Sequence, residues 1–144
     1  MKKNTLGSLT FLRISRFANQ SNQLSNQYLK QFDLSAAKFD TMVQIEQFQP
    51  IPQQELAKKV TVSQGGMSKM LDRLEKEGYI YRSIDWKVKH VSLTTKGQEK
   101  LDGVYERQLN FQTQLFDDCL SKKEQKELYK LMTRLQNHTN KQLK

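Results

Sequence analysis

Residues 61–93 read TVSQGGMSKMLDRLEKEGYIYRSIDWKVKHVSL. Met67, Met70, Leu71 and Leu74 fall at i, i+3, i+4 and i+7, so they share one face of a helix and pack inward. The opposite face carries Gly65, Ser68, Lys69, Asp72, Arg73 and Lys76, small at its start and charged further along. Gly78 lies just past the last charged turn, where a helix commonly ends in a left-handed residue. Ser63 fits as the N-cap, and Thr61 with Gln64 is a competing capping box. After Gly78 the period changes to two. Ile80, Arg82 and Ile84 alternate with Tyr79, Tyr81 and Ser83, and Lys87, Lys89, Val91 and Leu93 alternate with Val88, His90 and Ser92. This predicts a two-stranded ribbon turning at Asp85-Trp86, with Arg82, Lys87 and Lys89 on or near its tip. A short helix over Gln53 to Val60, with Leu56 and Ala57 inward, precedes the stretch. Helix, turn, helix and basic ribbon in that order make a helix-turn-helix with a wing, a layout suited to duplex DNA.

Individual residues carry more than one reading. Gly65 and Gly66 either sit in a first turn that frays anyway or let the helix start approach a DNA backbone or base edge. Asp72 opposes DNA on the charged face and is expected to pair with Lys76 at i,i+4. Trp86 at a turn either covers the ribbon base against a neighbouring helix, stacks on DNA sugar or lines a ligand pocket.

Composition sets outer bounds. The chain has 144 residues and a formal net charge of +9, enough for a buried core and suited to a polyanionic partner, either nucleic acid or an acidic membrane surface. No apolar run approaches the roughly 20 residues of a membrane span. Lys2 and Lys3 resemble the start of a signal peptide, but Gly7, Ser8 and Thr10 interrupt the apolar part and Arg13 ends it. With a single cysteine, Cys119, this implies a cytoplasmic protein without an internal disulfide.

Outside the central stretch the pattern is helical. Residues 1–32 contain Lys2, Lys3, Arg13, Arg16 and Lys30 and no acid. Leu6, Leu9, Leu12, Phe17, Leu24, Tyr28 and Phe32 keep a helical spacing, which favours a long helix over residues 5–31 against disorder. Leu34 to Phe48 reads as a helix capped by Ser35, ended by Gln49-Pro50-Ile51-Pro52, with Pro52 suited to the first turn of the next helix. Thr94 or Thr95 caps a helix whose stripe is Leu101, Val104, Gln108, Phe111 and Leu115. Gln108 is the polar exception: Leu109 fills the gap, or Gln108 fixes register. Ser121 and Glu124 form a capping box for a last helix carrying Leu128, Leu131 and Leu135. These stripes exceed what a small winged domain covers, which favours a two-fold dimer over an intramolecular hairpin.

The runs LSAAKF, QQELAKKV, VSQGGMSKMLDRLEKEGYI and VSLTTKG, in that order over nearly the whole chain, resemble the MarR family of bacterial transcriptional regulators. DRLEKEGYI is similar to the end of that family's recognition helix, and SLTTKG to its wing-to-helix junction. The resemblance implies a mainly α fold with a small β-wing. A winged helix-turn-helix part over residues 34–95 would be flanked by dimerisation helices over residues 5–31 and 95–140, all in one domain of residues 1–144. It implies a cytoplasmic homodimer that binds inverted repeats in double-stranded DNA, usually as a repressor, and is released by a small-molecule effector. Two recognition helices would then lie about 34 Å apart, one turn of duplex. Carried over by position, Ser63, Gln64, Gly65, Ser68 and Lys69 face the major groove, and Arg73 and Lys76 hold phosphates. Independently of the resemblance, the basic ribbon tip with Arg82, Lys87 and Lys89 fits the minor groove or flanking phosphates. The chain departs from the pattern at two places. Its wing has Asp85-Trp86-Lys87 in a shorter loop where the family often has Asp-x-Arg, and Lys lacks the planar fork of Arg. Thr61 stands where many helix-turn-helix turns have Gly.

Other classes fit less well. The sequence offers no Gly-rich phosphate loop and no nucleophile beside a base, and Asp117-Asp118 point different ways on a helix, so an enzyme is not expected. His90, His138 and Cys119 are too scattered for a closed metal site, and no cofactor is implied. Peroxide sensors of the family use a cysteine near the first helices, whereas Cys119 ends the fifth and reads as a small buried hydrophobe. A winged-helix module that binds proteins without specific DNA binding is the alternative, and the basic face argues against it.

Overall fold

The structure is a computed structural model that describes residues 1–60 and 64–143. Thr61, Val62 and Ser63, on which the turn and N-cap expectations fall, lie outside the described residues, as does the side chain of Gln64. The chain divides into two compact units, Met1–Gln108 and Leu109–Lys144.

The first unit opens with α1, Leu6–Leu29, capped by Thr5, whose Oγ1 accepts from Ser8 N at 3.1 Å. A single 3₁₀ turn, Lys30–Phe32, and a left-handed Asp33 (φ 57°) end it. Helix α2 runs Ala36–Phe48, with Ser35 as its N-cap. Strand β1, Ile51–Pro52, leads directly into α3, Gln53–Val60. Helix α4 covers Gln64–Lys76, β2 Ile80–Asp85 and β3 Val88–Leu93. Helix α5, Thr95–Asp117, leaves the first unit near its middle, and α6, Lys122–Gln142, belongs to the second.

The expected two-stranded ribbon is a three-stranded antiparallel sheet in the order β1-β3-β2. Ile51 pairs with Val91 and Pro52 with His90. A two-residue strand has no alternation to detect, and its second residue is proline, which an edge strand tolerates because no ladder partner needs its missing N–H. Pro52 therefore sits just ahead of α3 rather than in its first turn.

The core follows the predicted faces. Met67, Leu71 and Leu74 of α4 are fully buried, with Leu56 and Ala57 of α3, Met42 and Ile45 of α2, and Ile80 and Val91 of the sheet. Met70 packs against this cluster from its margin. On α5, Leu101, Val104 and Gln108 are buried. Leu109 is exposed and does not fill the polar gap. Gln108 instead meets a polar partner, its Nε2 donating to the buried Ser25 Oγ of α1 at 3.0 Å, while its Oε1 stays buried without a partner.

In the second unit, Ser121 and Glu124 form the expected capping box, and none of the residues of α6 is buried. Cys119 is exposed, not buried as its small apolar side chain suggested, because it falls in the turn after α5 where the inward stripe has ended.

Candidate nucleic-acid interface

Helix α4 presents the predicted face to solvent. Gly65, Lys69, Arg73 and Lys76 are exposed, and Ser68 is half-buried. Among the described residues no acid pairs with Lys69, Arg73 or Lys76, so their charges are available. A Cβ added to Gly65 would meet nothing within 4 Å, so packing within the chain does not require that glycine. Gln64 begins the helix, and Ser63 lies before the described part.

The helix ends as expected, and for a visible reason. Gly78 adopts φ 82°, its N–H donates to Glu75 O at 3.0 Å, and Tyr79 N donates to Leu74 O at 2.9 Å. These two bonds form a Schellman motif that satisfies the last carbonyls. The chain then enters β2, and the wing-to-helix junction returns to the same spot. Thr94 N donates to Tyr79 O at 3.0 Å, and Thr94 Oγ1 donates to Gly78 O at 2.6 Å. Thr94 Oγ1 also accepts from Gly97 N at 3.0 Å, which makes Thr94 rather than Thr95 the cap of α5. A Cβ on Gly97 would stand 2.0 Å from Tyr79 O, so this glycine is required by backbone approach. The same joint is braced by Lys96 Nζ, which donates to Glu77 O at 2.7 Å, and by a Lys38–Glu77 ion pair at 2.6 Å that ties α2 to the end of α4.

Arg82 corrects two expectations. It is not near the tip but three rungs back, opposite Val91, and its side chain is only 14% exposed. Its Nη2 donates to Asp72 Oδ1 at 2.7 Å and to Glu75 Oε1 at 2.9 Å, and its Nε donates to Glu75 Oε2 at 3.2 Å. Asp72 therefore pairs with Arg82 across to the wing, and not with Lys76 along the helix. Helical spacing could not reveal that partner, because it comes from another element. The hydrogen bond from Arg82 is the chief reason that the Glu75 carboxyl is held below its usual range, and the same bond raises the Arg82 guanidinium further. Arg82 thus straps the wing to α4.

The wing tip is open. Strand β2 turns into β3 through Trp86 and Lys87, with Asp85 opposite Val88. Trp86 is 92% exposed, so it covers no neighbouring helix, and it adopts φ 60°. Lys87 and Lys89 are exposed beside it, and Lys89 lies opposite Ile84. A groove of about 260 Å³ runs between these lysines and the start of α3, lined also by Pro52, Gln53 and Gln54.

Known proteins agree with this architecture. The MarR family model matches residues 34–86. An HTH-type transcriptional regulator of Bacillus cereus is 57% identical over 141 residues, covering 98% of this chain and 96% of the relative. Among solved structures, mutant MarR of E. coli complexed with operator DNA is 27% identical with a TM-score of 0.80, covering 92% of this chain and 99% of that one. AbsC of Streptomyces coelicolor, a MarR family regulator, shares the fold at 18% identity with a TM-score of 0.83, covering 97% and 99%. With a recognition-type helix, a wing and a near full-length relative in hand, the chain belongs to the MarR family of helix-turn-helix transcriptional regulators.

Proposed function

We propose that the protein is a sequence-specific DNA-binding regulator that acts as a homodimer on a palindromic operator, as a repressor released by a small-molecule effector. The observation that carries this reading is the exposed face of α4, where no acid among the described residues pairs with Lys69, Arg73 or Lys76 and the helix start at Gly65 is small and open. In the proposal, Ser63, Gln64, Gly65, Ser68 and Lys69 read base edges in the major groove, and Arg73 and Lys76 hold phosphates. Lys87 and Lys89 reach the flanking backbone. Arg82, engaged by two carboxylates, acts by fixing the wing rather than by touching phosphate.

Dimerisation is supported by apolar surface that a single chain leaves open. Leu6, Leu9 and Phe11 of α1 are exposed, as are Leu128, Leu131 and Leu135 of α6. A second copy would bury such stripes by two-fold symmetry. The organisation proposed is a winged part over residues 34–95 with pairing helices over residues 5–31 and 95–140. The family supports an effector and a cytoplasmic location. No helix among the described residues is long and apolar enough to cross a membrane.

Footprinting on the DNA upstream of the protein's own gene tests the reading. A protected inverted repeat is expected, with affinity falling steeply as salt rises. No duplex binding at low salt would instead mark a protein-interaction module.

A further inference from the structure

Trp86 breaks two rules at one position. It is the chain's sole tryptophan and 92% exposed, so it contributes nothing to a core. It also holds φ 60° in a two-residue hairpin turn, a place that favours Gly or Asn. A bulky residue that suits neither the backbone nor burial points to something met from outside the chain. Its surroundings indicate what that is. Lys87 and Lys89 are exposed on either side of Val88, and Ile84 is 72% exposed. The register Arg82↔Val91 and Ile84↔Lys89 puts Ile84 and Lys89 on the same sheet face as Arg82, the face held to α4. The one arginine of the wing is engaged by Asp72 and Glu75. What the tip offers is an exposed indole followed, one and three residues on, by two exposed lysines, on a hairpin strapped to the reading helix.

We propose that Trp86 is a specificity-determining DNA contact that works as an apolar wedge. The indole enters the minor groove beside the half-site and partly unstacks a flexible pyrimidine–purine step, while Lys87 and Lys89 hold neighbouring phosphates. Selection at that step comes from how easily it deforms, not from hydrogen bonds to base edges. The indole neutralises no phosphate, so it adds affinity without adding salt dependence. This inference rests on the DNA-binding reading above.

The test uses the full-length protein and a fluorescein-labelled duplex carrying the footprinted upstream site. Duplex anisotropy and tryptophan emission are recorded in one titration, and with a single tryptophan the emission reports Trp86 alone. Emission is expected to change at the same midpoint as anisotropy, with acrylamide access falling. Trp86→Ala should keep the fold by circular dichroism, bind about tenfold more weakly and leave the salt slope unchanged. Trp86→Phe should retain most of the affinity. Replacing a flanking TA step by AA should weaken the wild type but not the alanine variant. If anisotropy rises while emission stays constant and Trp86→Ala binds like wild type, the wedge is wrong and the DNA reading stands. If no duplex raises anisotropy at low salt, the DNA reading fails and takes the wedge with it.

Discussion

Arg82 meets Glu75 fork to fork, Nη2 to Oε1 at 2.9 Å and Nε to Oε2 at 3.2 Å. This pair joins β2 to α4, with Asp72 accepting a further bond from Nη2. Planar, two-point pairing of this kind needs a guanidinium. Arg82→Lys is therefore expected to lose much of the strap, and Arg82→Ala to cost about 1–2 kcal/mol, discounted because both carboxylates are partly exposed. Urea midpoints measure both. Duplex affinity should fall further than stability alone explains, since the wing loses its set angle.

The same pair gives a pH dependence of definite sign. Glu75 is held below its ordinary value of 4.5 chiefly by the hydrogen bond from Arg82. A carboxyl with a depressed folded value stabilises the fold above its unfolded value and loses that contribution as pH falls through the folded one. The stability gap between wild type and Glu75→Gln should be full at neutral pH and close as pH drops below about 4.5. A gap that stays constant down to pH 3 would contradict the assignment.

Gly97 and Gly65 make opposite predictions for the same substitution. Gly97→Ala drives a Cβ to 2.0 Å from Tyr79 O, and the joint between α4 and α5 must open. A loss of about 3 kcal/mol or more is expected in thermal or urea unfolding. Gly65→Ala meets open space, so stability should hold or rise by up to about 1 kcal/mol, from helix propensity. If the helix start approaches DNA as proposed, that same variant should bind duplex less well.

The buried pair Gln108 and Ser25 should behave as one unit. Ser25→Ala leaves the Gln108 amide without its acceptor and is expected to cost about 1–3 kcal/mol. Gln108→Leu with Ser25→Ala removes both polar groups, including the unpartnered Oε1, and should recover most of that loss. A double-mutant cycle in urea reads the coupling, and strict additivity would show that the bond contributes nothing.

On DNA, Lys69→Ala is expected to weaken binding by roughly 1–3 kcal/mol and to relax preference at one base pair, provided that Lys69 reaches a guanine. Equal loss on every sequence would make it a phosphate contact. Arg73→Ala and Lys76→Ala should each reduce the salt slope by about one.

Local pattern and long-range contact differ in how far they could be read from the chain. The inward face of α4, the Gly78 terminator, the Ser35 cap and the Ser121–Glu124 box each depend on residues within a turn or two of one another. Their spacing states the physics directly. What escaped was decided by partners distant in sequence. Strand β1 exists because β3 pairs with it, Asp72 turns to Arg82 because β2 folds back, and Gln108 is tolerated because Ser25 faces it from α1. Cys119, and the covering role among the readings of Trp86, differ from expectation for another reason. Hydrophobic type suggested burial, while a hairpin tip and a helix end left both exposed. Of the candidate site, the α4 positions are exposed or half-buried as expected from Gly65 onward, and Arg82 is the member that the structure gives a different task.

The inward residues Met67, Leu71 and Leu74 anchor α4 from one face, and Asp72 and Glu75 hold it to Arg82. Lys69, Arg73 and Lys76 therefore constrain folding little, and evolution or an engineer can rewrite them while the scaffold stays intact. Such a division lets duplicated copies of one regulator drift toward new target sequences without first passing through an unfolded ancestor.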